Sequence, residues 1–266
     1  MPPVPLTLAQ LYVYPMLAVL VLWSLLTVGL IWLNRRGPRP GRIALVILTS
    51  VLVFAHHELW TVRDDLSLWG CYRAFAAGML IWAWHELAFY SGVLTGPWRA
   101  PCPPDVRGWR RFHFALSTHV YHELAVGVEV VALWWIHRDA SNVFGPLTFV
   151  LLWALLHSAK LNVFLGVRSL TVDWLPAHMR YLGSFWRRRH SNPLFLSSVL
   201  AISLLAVWLW VCASTLNPYD SAIGFSLLAV MATLGALEHW MLMLPLKRPA
   251  TATPRPASAI GQHLSE

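Results

Sequence analysis

The chain has 266 residues, 57% of them hydrophobic and only 12% charged, with 16 Trp, 18 Pro, 3 Cys and a formal net charge of +8. Soluble domains carry about a quarter of their residues as charges, so this composition excludes an ordinary soluble domain, a disordered chain and a disulfide-stapled secreted module. A nucleic-acid partner would need a basic face on a soluble fold; none is expected, because the Lys and Arg residues fall between apolar runs.

The hydrocarbon core of a bilayer is about 30 Å thick, so a helical span needs about 20 mostly apolar residues. Seven segments qualify in chain order, at about 11–33, 43–60, 66–90, 112–136, 143–166, 194–212 and 222–244. Runs of this length exclude a transmembrane barrel, whose strands are short and alternating. The expected fold is all-α, a polytopic membrane bundle of seven transmembrane helices forming one domain over 1–248 and contacting membrane lipid. No Lys or Arg precedes the first span, while Arg35, Arg36, Arg39 and Arg42 follow it, so it is expected to stay in the mature chain rather than act as a cleaved signal.

Sixteen basic residues lie after the first, third and fifth spans and in the tail, against Arg63 and Arg138 in the alternate connections. The positive-inside rule then predicts the N-terminus outside and the C-terminus inside. The connections 91–111 and 167–193 mix Gly and Pro with Trp98, Trp109, Trp174 and Trp186, the composition of structured interfacial loops. Residues 249–266, rich in Pro, Ala, Ser and Thr, read as a disordered cytoplasmic tail. Cys71, Cys102 and Cys212 show no metal spacing and carry no assigned role; a Cys71–Cys212 disulfide is conceivable near the outer surface but has no support in the sequence.

Ionisable groups in hydrocarbon cost a few kcal/mol each, so those that persist there are candidates for a site. They recur as HHEL at 56–59, WHEL at 84–87, YHEL at 121–124, HSAKLN at 157–162 and LEHW at 237–240. Counted along each helix, His85, Glu86, His119, His122, Glu123, His157, Lys160, Glu238 and His239 lie about 8 to 17 Å from the cytoplasmic ends of their spans. One shared polar layer, supplied by four helices, is expected to form a cofactor-binding cluster. His119 and Glu123, four apart, share a face with His122 to one side, as do His157 and Lys160. His56, His57 and Glu58 are expected to form a separate, wetter group near the outer surface.

Imidazole and carboxylate ligands from bundle helices can hold iron or a pair of metals, here His85, Glu86, His122, Glu123, Glu238 and His239. Imidazole is equally an axial ligand to a tetrapyrrole metal, with His85, His122 or His239 as candidates. Against both stands a plain structural role, in which these groups neutralise and hydrogen-bond one another across helices. HExxH, GxGxxG, P-loop and GxSxG motifs are absent from the sequence, so nucleotide-driven transport and serine-hydrolase chemistry have no support.

The strings WHELAF, TGPWRAPCP, HEL, SAKLNVFLGVRSL, HMRYL, FWRRR, NPLF and LEHWMLMLPL, in order from Trp82 to Leu246, resemble the PuhE family of photosynthetic complex assembly proteins of anoxygenic phototrophic bacteria. The resemblance implies a multi-pass protein of the bacterial inner membrane, in the intracytoplasmic photosynthetic membrane. It also implies support for reaction-centre and light-harvesting assembly, with an influence on bacteriochlorophyll supply. It carries over His85, Glu86, His122, Glu123, Lys160, Asn162, Glu238 and His239. The implied cofactor is bacteriochlorophyll or a precursor, and the implied partners are photosynthetic complex subunits or pigment-biosynthesis proteins. The rival expectation is a membrane metalloenzyme, an iron-dependent oxidase or hydroxylase acting on a pigment intermediate, because the carboxylates exceed what a pigment site requires.

Overall fold

Backbone amides inside a bilayer have no water to bond and must be satisfied within the chain, which favours helices. The computed structural model describes residues 6–169, 175–215 and 221–244, and its regular structure is helical throughout these. A π-turn (Ala9–Val13) leads into α1 (Tyr14–Arg35), followed by α2 (Pro38–Thr61), α3 (Leu68–Tyr90), α4 (Gly108–Ser117), α5 (Val120–His137), α6 (Phe144–Leu165), a 3-10 segment (Ala177–Phe185), α7 (Phe195–Thr215) and α8 (Ala222–Met243). The C-terminal stretch 249–266, expected to be disordered, lies outside the described residues.

Five of these helices are long and apolar enough to cross a membrane: α1 with its π-turn, α2, α6, α7 and α8. The other two expected spans correspond to α3 and to the α4–α5 pair, whose apolar runs are interrupted by Arg73, His85 and Glu86, and by His122, Glu123 and Glu129. Of these polar-bearing helices α3 is sheltered by the apolar ones, while α4 and α5 bury only Arg111, His122, Val126, Leu133 and His137. Buried side chains line α3 from Gly70 to Phe89, whereas α1 buries only Pro15, Val19 and Asn34. The core runs between α3, α6 and α8 around Phe75, Ile81, Phe149, Leu227 and Met231. Here α3 and α6 come into backbone contact: a Cβ on Gly145 would meet the Ala74 carbonyl, and one on Gly78 would meet the Gly145 carbonyl. Small residues permit such approach where dispersion, rather than water exclusion, holds helices together.

The expected continuous span 112–136 is corrected to two helices with a break at Thr118 and His119. The cause is the 91–107 connection, which enters the bundle. The Thr95 carbonyl accepts from the amides of Tyr121 (2.9 Å) and His122 (3.2 Å), and Trp98 N–H donates to the Ser117 carbonyl at 3.1 Å. Gly96 passes so near the Ser117–His119 backbone that any side chain would collide. A borrowed carbonyl therefore satisfies α5's first amides, which no residue of a continuous helix could leave free. The polar half of α4 is anchored by Arg111, 6% exposed, whose guanidinium donates to the Phe185 and Phe164 carbonyls and lies 4.2 Å over the Phe164 ring. All three cysteines are free thiols.

Candidate functional site

Glu123 sits in the first turn of α5, where the positive end of the helix favours a carboxylate. It is the hub of the ionisable cluster. One oxygen lies 3.2 Å from Lys160 Nζ, 3.5 Å from His122 Nδ1 and 3.9 Å from His119 Nε2. The other lies 3.1 Å from His157 Nε2 and accepts from Trp153 Nε1 at 3.2 Å. Three elements thus converge on one carboxylate: α5, the break before it, and the α6 face that carries Trp153, His157 and Lys160.

A second hub escaped sequence reasoning. Glu129, on α5, lies 2.7 Å from His56 Nε2 and 3.4 Å from His85 Nε2. The expectation that His56 forms a separate outer group is therefore corrected: Glu129 ties it to His85. The signal was available, since Glu129 interrupts the apolar run VGVEVVAL seven residues after His122, two turns along the same face. It was overlooked because no histidine adjoins it in sequence. Glu58 is engaged elsewhere, accepting from Arg73 Nε at 2.8 Å.

Between the two hubs lie His85, His122 and Glu86, all buried. The His85 and His122 rings are 6.3 Å apart, and Glu86 Oε1 is 3.7 Å from His122 Nε2. Phe149 edges His85 at 5.5 Å, while Trp82 and Phe89 flank His122 at 6.4 and 5.2 Å. His85 Nδ1, both His122 nitrogens, Glu86 Oε1 and His157 Nδ1 are buried without hydrogen-bond partners. Most buried polar atoms are satisfied, so this cluster is loosely paired: His122 meets Glu123 and Glu86 only at 3.5 and 3.7 Å.

Two expected members stand apart. His239 Nδ1–H donates to the Gly235 carbonyl (2.8 Å) and Nε2 accepts from Ser158 Oγ (2.9 Å), which uses both ring nitrogens to join α8 to α6. Asn162 extends that seam, donating to Ser198 Oγ of α7 at 3.0 Å. Glu238 is exposed on the outside of α8. The expected iron set of six ligands is thus not assembled, and among the described residues no three His, Cys, Asp or Glu side chains are disposed to hold a metal ion.

Beside the Glu123 hub opens a cavity of about 430 Å³, within the usual size of small-molecule sites. Its walls are largely apolar, from Phe89 and Leu156 to Phe185 and Met241, with Lys160, Thr118, His119, Ser169 and Tyr90 among the residues that bring polar groups. Thr118 spends its hydroxyl proton on the Ala115 carbonyl (2.7 Å), so the 3.1 Å contact to His119 has Nδ1–H as donor. That hydrogen bond fixes the tautomer and leaves the Nε2 lone pair of His119 free, as in histidines that ligate a metal. Of the histidines named from sequence, His119 alone lines this cavity.

Fold and site together define a helical, multi-pass membrane protein with two half-buried carboxylate–histidine hubs among its helices. The chain belongs to the family described as "Protein of unknown function (DUF3623)", whose model matches residues 9–251. It is 33% identical over 235 residues to the "Uncharacterized 30.4 kDa protein in puhA 5'region" of Rhodobacter capsulatus, covering 86% of this chain and 85% of that one. No solved structure matches it.

Proposed function

We propose that this protein is an assembly factor of the photosynthetic reaction-centre and light-harvesting apparatus in the bacterial inner membrane. In this reading it is a PuhE-type protein that handles bacteriochlorophyll or a precursor. The observation that carries the reading is the relative from the puhA 5' region, similar over most of both chains. The sequence resemblance points the same way. The reading includes an N-terminus outside and a C-terminus inside, supported by the excess of Lys and Arg in alternate connections, with α3 and the α4–α5 pair crossing beside the five apolar helices.

The geometry shifts the ligand assignment. A tetrapyrrole metal needs an imidazole lone pair that faces open space. His239 has both nitrogens engaged, and His85 and His122 are enclosed by packing; His119 combines a free Nε2 with a position on the cavity wall. A bound tetrapyrrole would supply the Lewis-acidic metal that His119 ligates. Thr118 would orient that imidazole through its Nδ1–H, the apolar wall would exclude water, and Lys160 would present a cation to a pigment carboxylate.

Purification from a pigment-producing host followed by absorption spectroscopy tests this. The wild type is expected to carry or take up pigment, His119→Ala to lose it and His239→Ala to keep it. A colourless protein that also takes up no added pigment refutes the reading.

A further inference from the structure

A second recess, of about 310 Å³, lies where α1 ends and α2 begins, against the start of the 3-10 segment. Its polar lining is Asn34, Arg35, His178 and Arg180, and no carboxylate of the described residues lines it. The apolar stretch of α1 ends here, and Arg36 folds back over the Trp32 ring at 3.8 Å, an arrangement of the headgroup level.

Asn34 gives the recess its character. It is 8% exposed and lines the recess, and its side-chain amide has no hydrogen-bond partner among the described residues. Its backbone stays within the end of α1, the carbonyl accepting from the N–H groups of Arg36 and Gly37. Its amide atoms are not shut away but open onto the recess, where they can donate to and accept from a ligand. Arg35 and Arg180 add two guanidinium groups without an ion-pair partner among the described residues, and the start of α2 adds the positive end of its dipole. Pro38 and Pro40 remove two amide donors from that first turn, so α2 contributes field rather than hydrogen bonds. His178 positions the wall: Nε2–H donates to the Tyr90 carbonyl at 3.0 Å.

We propose that this recess binds a phosphate-bearing anion through Asn34, Arg35 and Arg180. Two guanidinium groups and an amide donor match the tetrahedral oxygens of a phosphate better than a halide or a single carboxylate. The phosphate can belong to an anionic phospholipid at the bilayer surface or to a soluble phosphate.

The test uses the full chain, delipidated and placed in bilayers of phosphatidylcholine alone or with spin-labelled phosphatidylglycerol, and separately titrated with inorganic phosphate in detergent. Preferential immobilisation of phosphatidylglycerol identifies the lipid source. A rise in melting temperature with inorganic phosphate and no lipid preference identifies the soluble one. In either case Arg35→Gln/Arg180→Gln is expected to weaken binding about thirtyfold, from the roughly fivefold that one Arg provides at an anionic surface. Asn34→Leu, which keeps both arginines, is expected to weaken it about tenfold by leaving the anion one donor short. Arg107→Gln/Arg110→Gln, equal in charge change but at the start of α4 and absent from the recess lining, serves as the control and is expected to retain binding. The proposal is overturned if neither probe responds, or if the control pair weakens binding as much as the recess pair.

Discussion

Replacing Glu123 by Gln tests the hub most directly. The carboxylate faces Lys160 at 3.2 Å, His157 at 3.1 Å and the Trp153 indole N–H at 3.2 Å, and keeps 14% of its side-chain area exposed. A glutamine of the same shape retains one acceptor oxygen but turns a neutral NH₂ donor toward groups that are themselves donors, leaving Lys160 uncompensated. Removing one partner of a buried pair costs about 3–5 kcal/mol. Lys160 and His157 retain 28% and 32% of their side-chain exposure, which places the effect at the lower end, about 3 kcal/mol. Unfolding by dodecyl sulfate in mixed micelles measures it. The double variant Glu123→Leu/Lys160→Met removes both charges and is expected to recover about half of that loss, because the desolvation cost of Lys160 disappears while Trp153 and His157 still lack their acceptor. A Glu123→Gln protein as stable as wild type, or a double variant no better than the single, would refute the claim that this carboxylate is held by its partners.

Three further outcomes follow from other parts of the molecule. Glu129→Gln is expected to destabilise the bundle by about 2 kcal/mol, as a hydrogen bond to a charged group is lost on each side, and to shift the imidazole NMR signals of both His56 and His85; a shift of only one breaks the proposed link. Gly145→Ala is expected to cost about 1–3 kcal/mol through overpacking, read in the same sulfate titration, since its methyl group would press on the Ala74 carbonyl. In the 62–67 connection, hydrogen bonds from Ser67 hold the Asp65 carboxyl below its ordinary value of 3.8. A depressed acid stabilises the fold above its ordinary value and loses that contribution as pH falls through the lower folded value. Acid melting below about pH 4 is therefore expected to be shallower in Asp65→Asn than in wild type, and identical slopes would remove Asp65 from the account.

Much of this molecule was legible in its sequence because hydrocarbon makes polarity expensive. The apolar runs locate α1, α2, α6, α7 and α8 to within a few residues, and the same cost argument picks out Glu123, His157 and Lys160, which do meet. What escaped depends on contacts distant in sequence. The break at Thr118 is imposed by the Thr95 carbonyl, more than twenty residues away, and no local pattern announces it. His239 and Glu238 look equivalent to the WHEL and YHEL pairs as strings, yet the rotation of α8 turns one onto Ser158 and the other outward. Glu129 was readable by periodicity and was hidden only by attention to adjacent His–Glu pairs.

The Thr95 carbonyl gives the 91–107 connection a reach beyond its own surface. It closes two amides at the start of α5, one of them belonging to His122, and Glu123 follows immediately. Anything that draws this connection away from the bundle frees both amides at once and lets the first turn of α5 unwind, carrying His119 and Glu123 with it. The positions of His119 and Glu123 are therefore set as much by this connection as by the helix that carries them.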